Sequence, residues 1–111
     1  MHTKVNISMK GWVYILLCHD GSYYTGSTND LSIRILEHQD GKGANYTKNR
    51  LPVSLVYWEE FDRIDYAFNR EKQLQGWTRK KKEALINRES SLLKRDSQCI
   101  NDTHSKNMKD I

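Results

Sequence analysis

The 111-residue sequence predicts an α/β fold of the α+β kind, with a small three-stranded antiparallel sheet flanked by three helices. Three short runs of apolar and β-forming residues predict the strands, and after the third run the apolar residues change to helical spacing. A chain of this length holds one domain and has little room for a second hydrophobic core. We therefore expect one folded domain over residues 11–88, an N-terminal extension over 1–10, and a polar, disordered tail over 89–111.

Composition and cysteine usage narrow the class of protein. Hydrophobic residues make up 37% and charged residues 29% of the chain, close to globular averages, so the chain should fold. No apolar run approaches the length of a membrane span or a signal peptide, and we expect a cytoplasmic protein without a membrane partner. Cys18 lies in an apolar run and Cys99 in a polar one, which gives neither a disulfide framework nor metal-ligand spacing. Cys18 is expected in the core.

The three strands are predicted from apolar runs and the turn signals beside them. Residues 12–18 (WVYILLC) are rich in aromatic and β-branched residues, which indicates a central strand buried on both faces. Residues 22–27 (SYYTGS) follow a turn and carry β-forming side chains. Residues 53–61 (VSLVYWEEF) follow a proline, which suits a strand edge.

The connection between the first two strands decides whether Tyr14 and Tyr24 share a face of the sheet. A two-residue turn over Asp20-Gly21 would place the two tyrosines on opposite faces. A three-residue loop over His19–Gly21, with Gly21 in the left-handed conformation, makes them diagonal neighbours on one face. We predict the three-residue loop.

Helix signals flank the strands. Asn29 and Asp30 suit a helix N-terminus, because short polar side chains accept hydrogen bonds from the exposed N–H groups there. The apolar spacing from Ile64 to Leu74 is helical. The region over 42–52 is polar and basic and is expected to be a loop. The helices are predicted over residues 30–40, 63–75 and 79–88.

Glu71 is the first candidate functional residue. It falls within a helical stripe formed by Ile64, Ala67, Phe68 and Leu74, whose spacing predicts that this face is buried. A carboxylate in an apolar stripe costs free energy unless a cation or hydrogen-bond donors meet it. Glu71 is therefore expected to have a partner or a function.

Basic residues form two clusters on a chain whose net charge is only +4. The residues considered for nucleic-acid binding are Lys42, Lys48 and Arg50 in the loop and Arg79, Lys80, Lys81 and Lys82 in the last helix. Cations in the first turn of a helix are locally unfavourable, and a phosphate there would reverse the effect. A solvated surface patch is the alternative. Tyr46, within the basic loop, either stacks on a base or packs on the domain.

Arg34 and His38 are four residues apart and share one face of the first predicted helix. An arginine can hold a phosphate through two hydrogen bonds, and a histidine can relay or donate a proton near neutral pH. The same pair is also common on exposed, solvated helix faces, and both interpretations stay open on the spacing alone.

Taken together, these segments resemble the GIY-YIG nuclease family, in particular its small stand-alone bacterial members, which are related to the N-terminal nuclease domain of the bacterial excision-repair endonuclease. The resemblance covers residues 11–88. Trp12-Val13-Tyr14 stands where the family has Gly-Ile-Tyr, and Tyr24-Thr25-Gly26 stands where it has Tyr-Ile-Gly, which makes Gly26 the structural glycine of the motif. Two departures are Ser27, where some relatives carry a lysine, and a Ser-Ser pair near Ser90, where many have Asn-Pro.

The resemblance implies an endonuclease that hydrolyses phosphodiester bonds in DNA with one Mg²⁺ or Mn²⁺ ion. In that chemistry Glu71 binds the ion and Arg34 holds the scissile phosphate. Tyr24 or Tyr14 deprotonates the attacking water, and because phenols titrate near pH 10 the site must favour phenolate. His38 matches a catalytic position that holds His or Tyr. The implied process is DNA repair or recombination, with substrates selected by structure more than by sequence.

A non-catalytic DNA- or RNA-binding module that keeps the nuclease fold is the alternative from another class. Glu71 argues against it, because phosphate binding alone does not require a carboxylate. Either protein should recognise mainly shape and phosphate, with affinity that weakens steeply as salt rises. Duplex, single strand, flap, branch and RNA all fit the sequence equally, and the sequence predicts no oligomeric state.

Overall fold

The structure is a computed structural model that describes residues 9–88, in two compact units divided between Trp77 and Thr78. Within the described residues, the first unit contains a three-stranded antiparallel sheet and three helices, and residues 78–88 of the second contain one helix. The fold is therefore α+β, as predicted. The expected tail over 89–111, and all of the expected extension except residues 9 and 10, lie outside the described range. No helix within that range is long and apolar enough to cross a bilayer.

The elements follow the predicted order, with one addition. The strands are β1 (Gly11–Leu17), β2 (Tyr23–Thr28) and β3 (Ser54–Phe61). The helices are α1 (Leu31–Gln39), α2 (Asn45–Lys48), α3 (Ile64–Gln75) and α4 over 79–88. The sheet order is β2-β1-β3, so the apolar run is the central strand, as predicted.

The short helix α2 lies in the region predicted as a loop, so the expected count of three helices was wrong. A single turn is too short to show helical spacing of apolar residues. It is closed instead by a local hydrogen bond, in which the Thr47 hydroxyl donates to the Ala44 carbonyl at 3.0 Å. Thr47 is also fully buried, which a polar, basic segment gives no reason to expect.

The loop between β1 and β2 has the three-residue form that was predicted. The Gly21 N–H donates to the Cys18 carbonyl at 2.9 Å, and Gly21 has a φ of 87°. Leu16 consequently pairs with Tyr24 across the strands. Tyr14 and Tyr24 therefore project from the same face, with their ring centroids 6.4 Å apart.

Helices cover both faces of β1. On the face of Tyr14 and Leu16, side chains of α1 and of the segment after α2 complete a core that includes Cys18, which is buried as predicted. On the other face, α3 packs with Ala67 and Leu74 fully buried. The two helix layers thus position the site residues of α1 and α3 on either side of the hairpin.

The buried stripe of α3 is narrower than the sequence predicts. Ala67 and Leu74 are buried, but Phe68 is 48% exposed. Phe68 belongs to the predicted apolar stripe but lies at its border with solvent.

Gly21→Ala should destabilise the protein by about 1–2 kcal/mol, because the left-handed conformation costs an L-residue about that much. A Cβ at this position would meet no heavy atom within 4 Å, so the effect comes from the backbone alone. Gly76→Ala is the matched control, since Gly76 has a φ of −84°, and it should change stability by less than about 0.5 kcal/mol. Urea unfolding of both variants measures the difference, and equal effects would contradict the loop geometry.

Candidate active site

Tyr14 lies across β2 above Gly26, its direct partner in the strand pairing. The Tyr14 side chain is 1% exposed. A Cβ on Gly26 would lie 2.5 Å from the Tyr14 hydroxyl oxygen and 2.7 Å from its Cζ. Because a real Cβ cannot approach so closely, any side chain at Gly26 would displace the Tyr14 ring.

His38 is fully buried against Tyr14. Its Nε2 lies 2.8 Å from the Tyr14 hydroxyl oxygen, and its Nδ1 lies 2.8 Å from Thr47 Oγ1. Gly43 leaves room for the ring, since a Cβ there would clash with Nδ1. The interpretation of Arg34 and His38 as a solvated pair on an exposed face is therefore wrong for His38.

Burial, followed by the nearby positive charge of Arg34, lowers the pKa of His38 to about 4. The imidazole is consequently neutral at pH 7. The expectation that His38 donates a proton near neutral pH does not hold in this state, because the ring carries no extra proton to give. It is instead an acceptor at one nitrogen and a donor at the other.

Thr47 fixes which nitrogen of His38 carries the hydrogen. The Thr47 hydroxyl has one proton, and it donates that proton to the Ala44 carbonyl at 3.0 Å. Only lone pairs of the hydroxyl oxygen then face His38, so His38 Nδ1 must carry the hydrogen and donate it to Thr47. The other nitrogen, Nε2, has a free lone pair and accepts from the Tyr14 hydroxyl.

Arg34 lies at the border between the buried tyrosines and solvent. Its guanidinium donates to Glu37 at 2.9 Å, and about a third of its side chain is exposed. Burial raises the pKa of Tyr14 to about 12, although a hydrogen bond from Arg34 acts in the opposite direction. Burial also raises the pKa of Tyr24, again against the charge of Arg34. A cation close to the tyrosines is thus present as expected, but it does not make either one a phenolate in this state.

Glu71 joins the site from α3, and its charge raises the pKa of both Tyr14 and Tyr24. Its carboxylate accepts from Ser27 Oγ at 2.5 Å and from Gln75 Nε2 at 2.8 Å. No ion pair among residues 9–88 includes Glu71. The hydrogen-bond partners of the Glu71 carboxylate in the apolar stripe are therefore neutral donors. No cation among residues 9–88 compensates its negative charge.

The donor set around Glu71 fits a hard cation and does not fit zinc. Within the described part of the chain, no three residues of the His, Cys, Asp or Glu types cluster together. Structural zinc sites take four such ligands and catalytic ones usually three. Mg²⁺ and Mn²⁺ suit oxygen donors, and Mg²⁺ often binds through one or two carboxylates, substrate phosphate and water. Ser27 and Gln75 each bond one carboxylate oxygen and so fix its orientation.

An open pocket of about 350 Å³ lies beside Arg34 and extends to Ser27 on β2. Its lining residues are Ser27, Thr28, Asn29, Asp30, Ile33, Arg34 and Glu37. Ser27, which lines this pocket, also donates to Glu71. A ligand in the pocket would therefore lie between the Arg34 guanidinium and Ser27. Arg34 is the cation of this lining, and the carboxylates of Asp30 and Glu37 lie in the same lining.

Comparison with known proteins identifies the family of this chain. A family model described as the GIY-YIG catalytic domain matches residues 10–87. The chain belongs to the GIY-YIG family. A UPF0213 protein of Staphylococcus saprophyticus is 48% identical over 77 residues, which cover 69% of this chain and 94% of that protein. A UPF0213 protein of Haloquadratum walsbyi is 47% identical over 74 residues, which cover 67% of this chain and 83% of that protein.

A solved structure is also similar. The solution NMR structure of a UPF0213 protein from Bacillus halodurans is 44% identical to this chain, covers 71% of it and 84% of its own chain, and has a TM-score of 0.48. The name UPF0213 states no function for these relatives. A GIY-YIG domain implies a nuclease, and therefore a nucleic acid as its substrate.

Tyr46 and Arg50, two of the residues predicted to bind nucleic acid, contact other side chains of the GIY-YIG domain. The Tyr46 ring stacks with Tyr24 at a centroid distance of 6.0 Å, and the Arg50 guanidinium lies 3.7 Å from the Tyr46 centroid. Arg50 also donates to Asp20 at 3.0 Å. Tyr46 thus packs on the domain together with Arg50 and is also 38% exposed.

The remaining predicted basic residues are at or near the surface. Lys42 precedes α2 and Lys48 is its last residue, and both are exposed. The others, Arg79, Lys80, Lys81 and Lys82, begin α4 in the second unit. There Thr78 accepts from the Lys81 N–H at 3.2 Å, as an N-cap does, and Arg79 pairs with Glu83. The N-terminus of α4 is thus capped by the side chain of Thr78.

Four site residues were not predicted from the sequence. Thr47 and Gly43 hold His38, and Ser27 and Gln75 hold Glu71. The spacing of Gln75, four residues after Glu71, was the one available signal, because side chains at this spacing meet on a helix.

The stability of this GIY-YIG domain should fall in mild acid because His38 is buried as the neutral form. The pKa is about 4 in the fold against an ordinary value of 6.5 when unfolded, so between these values only the unfolded chain binds the proton. The stabilisation is complete above pH 6.5 and is lost as the pH falls toward 4, at up to about 1.4 kcal/mol per pH unit.

Urea unfolding at pH 7 and pH 5 measures this loss. His38→Gln should show much less difference between the two pH values than the wild type. His19→Gln is the control at an exposed histidine and should behave like the wild type. A His38→Gln variant with the full wild-type decline would show that another group is responsible.

Proposed function

We propose that this protein is a divalent-metal-dependent endonuclease that hydrolyses phosphodiester bonds in DNA. One observation carries the proposal: Arg34 and the Glu71 carboxylate share a site with two tyrosines, and Glu71 has no cation partner among residues 9–88. The four groups come from four different elements, β1, β2, α1 and α3. A protein that only binds phosphate needs the arginine, and it gains nothing from an uncompensated carboxylate.

Glu71 would hold one Mg²⁺ or Mn²⁺ ion through its carboxylate oxygens. When bound, such an ion polarises the phosphate and stabilises the charge on the leaving oxygen. Ser27 and Gln75 keep the carboxylate oriented, since both of its oxygens are already hydrogen-bonded by them.

Tyr14 is the tyrosine that we assign to accept the proton of the attacking water. Its own hydrogen is directed to His38 Nε2, so only lone pairs of its oxygen are left to face the site. A pKa of about 12 makes free phenolate scarce at pH 7. A concerted relay avoids the phenolate. The Tyr14 oxygen takes a proton from water while its own proton moves to His38. The Nδ1–H of His38 continues to donate to Thr47.

Arg34 would hold the scissile phosphate. It faces the Tyr14 hydroxyl on one side and the open pocket on the other. A phosphate in the pocket would therefore lie close to the oxygen that takes the proton from water. The guanidinium would offset the negative charge that grows on the phosphate in the transition state.

We further propose that substrates are selected by their structure, in DNA repair or recombination. The exposed Lys42 and Lys48 can contact phosphates, and such contacts position a nucleic acid without reading its bases. Binding should accordingly weaken as salt rises.

Glu71→Gln tests the proposal, because it removes the charge and keeps a side chain of the same size. With labelled duplex, single-stranded, flapped and branched DNA and with RNA, the wild type should cut only when Mg²⁺ or Mn²⁺ is present. The variant should cut at least about 100-fold more slowly, since several kcal/mol of charge stabilisation are lost. Its binding in EDTA should be unchanged or slightly tighter.

Glu60→Gln is the matched control, because Glu60 is an exposed carboxylate on β3 that pairs with Lys10. It should cut like the wild type. Metal-independent cutting, or full activity of Glu71→Gln, would contradict the proposal. Binding without any cutting would favour the binding module instead.

A further inference from the structure

Phe68 is an exposed aromatic ring beside the Glu71 carboxylate. The side chain is 48% exposed. It lies three residues before Glu71 and seven before Gln75, so all three residues share one face of α3. The core of the protein does not explain a large apolar ring at this position.

The contacts of α3 with the sheet show where this ring lies. Arg70 pairs with Glu59 on β3, and Glu71 bonds Ser27 on β2, so these neighbours face opposite edges of the sheet. At 100° per residue, Phe68 is farther round the helix than Glu71 in the direction away from Arg70. The ring therefore lies past the free edge of β2, next to the candidate active site.

Lys72 adds a positive charge to the same place. Its ammonium nitrogen lies 4.7 Å from the centroid of the Phe68 ring. No ion pair within residues 9–88 includes Lys72. An aromatic face for a base and a cation for a phosphate are together the chemistry that binds a single-stranded nucleotide.

We propose that Phe68 and Lys72 form a binding site for one unpaired nucleotide, with its base stacked on Phe68 and its phosphate at Lys72. This inference rests on the proposed endonuclease function and narrows its substrate. A base inside an intact duplex has both faces covered by its neighbours and cannot stack on the ring. The site therefore favours single strands, flaps and branches, in which an unpaired nucleotide lies next to the scissile phosphate.

The same helix offers a matched control. Tyr66 is 49% exposed and has the Arg63 guanidinium 4.8 Å from its ring centroid, so it repeats the pairing of an exposed ring with a cation. It lies five residues before Glu71, about 140° away around the helix. Tyr66 is therefore an exposed ring beside a cation, as Phe68 is, but it does not lie next to Glu71.

The test is the dissociation constant of a labelled single strand and of a duplex with the same sequence, measured by fluorescence anisotropy in EDTA. Phe68→Ala should weaken binding of the single strand about tenfold, as the loss of one base–aromatic stack does, and should change duplex binding less than twofold. Phe68→Trp should bind the single strand as the wild type does, and Tyr66→Ala should have no effect. Lys72→Ala should lower the salt dependence of binding by about one phosphate contact.

Phe68→Leu covers the case in which the alanine variant unfolds, because it keeps the apolar bulk and removes the aromatic face. Unchanged single-strand affinity in folded Phe68→Leu, or an equal loss in Tyr66→Ala, overturns the nucleotide site. If metal-dependent cutting requires Glu71 while Phe68→Leu keeps the wild-type preference between single strand and duplex, the site fails and the endonuclease stands. If binding depends on Phe68 and nothing is cut, the endonuclease fails and the site stands.

Discussion

The hydrogen bond between the Tyr14 hydroxyl and His38 Nε2 is the interaction on which the rest of the site depends. It joins β1 to α1 inside the core, and Thr47 extends it to α2. Burying polar side chains is costly unless each polar atom has a partner. Here the chain of donors runs without a gap from Tyr14 through His38 and Thr47 to the Ala44 carbonyl. The neutral state of His38 and the direction of the Tyr14 proton both follow from it.

The two halves of the site are built on different principles. The tyrosine and histidine half is dry and closely packed, and Gly26 and Gly43 are needed there because no side chain fits beside the rings. The Glu71 half is held by the neutral donors Ser27 and Gln75 and has no cation partner among residues 9–88, which suits a cation from solution. Arg34 lies between them and meets both the buried hydroxyl and the open pocket. Such a division keeps the hydrogen bond from Tyr14 to His38 buried and leaves the charged groups open to the substrate.

Periodicity and turn chemistry predicted the strands, α1, α3 and the shared face of Tyr14 and Tyr24, because each of these features repeats along the chain or is fixed by a few neighbouring residues. The short helix α2 and its buried Thr47 left no such pattern, since a polar residue is buried only when a distant partner, here His38, requires it. Phe68 shows the opposite error. It belongs to the apolar stripe of α3, but it is 48% exposed while Ala67 and Leu74 are fully buried.

The hydrogen position on His38 tests the central claim most directly. Nitrogen-15 NMR of the imidazole at pH 7 distinguishes a protonated ring nitrogen from a bare one. The structure predicts a neutral ring with hydrogen on Nδ1 and a bare Nε2, and Thr47→Val should disturb this pattern by removing the hydroxyl that accepts from Nδ1. A wild-type ring with hydrogen on Nε2, or with both nitrogens protonated, would mean that Tyr14 does not donate to His38, and the proposed proton relay would be wrong.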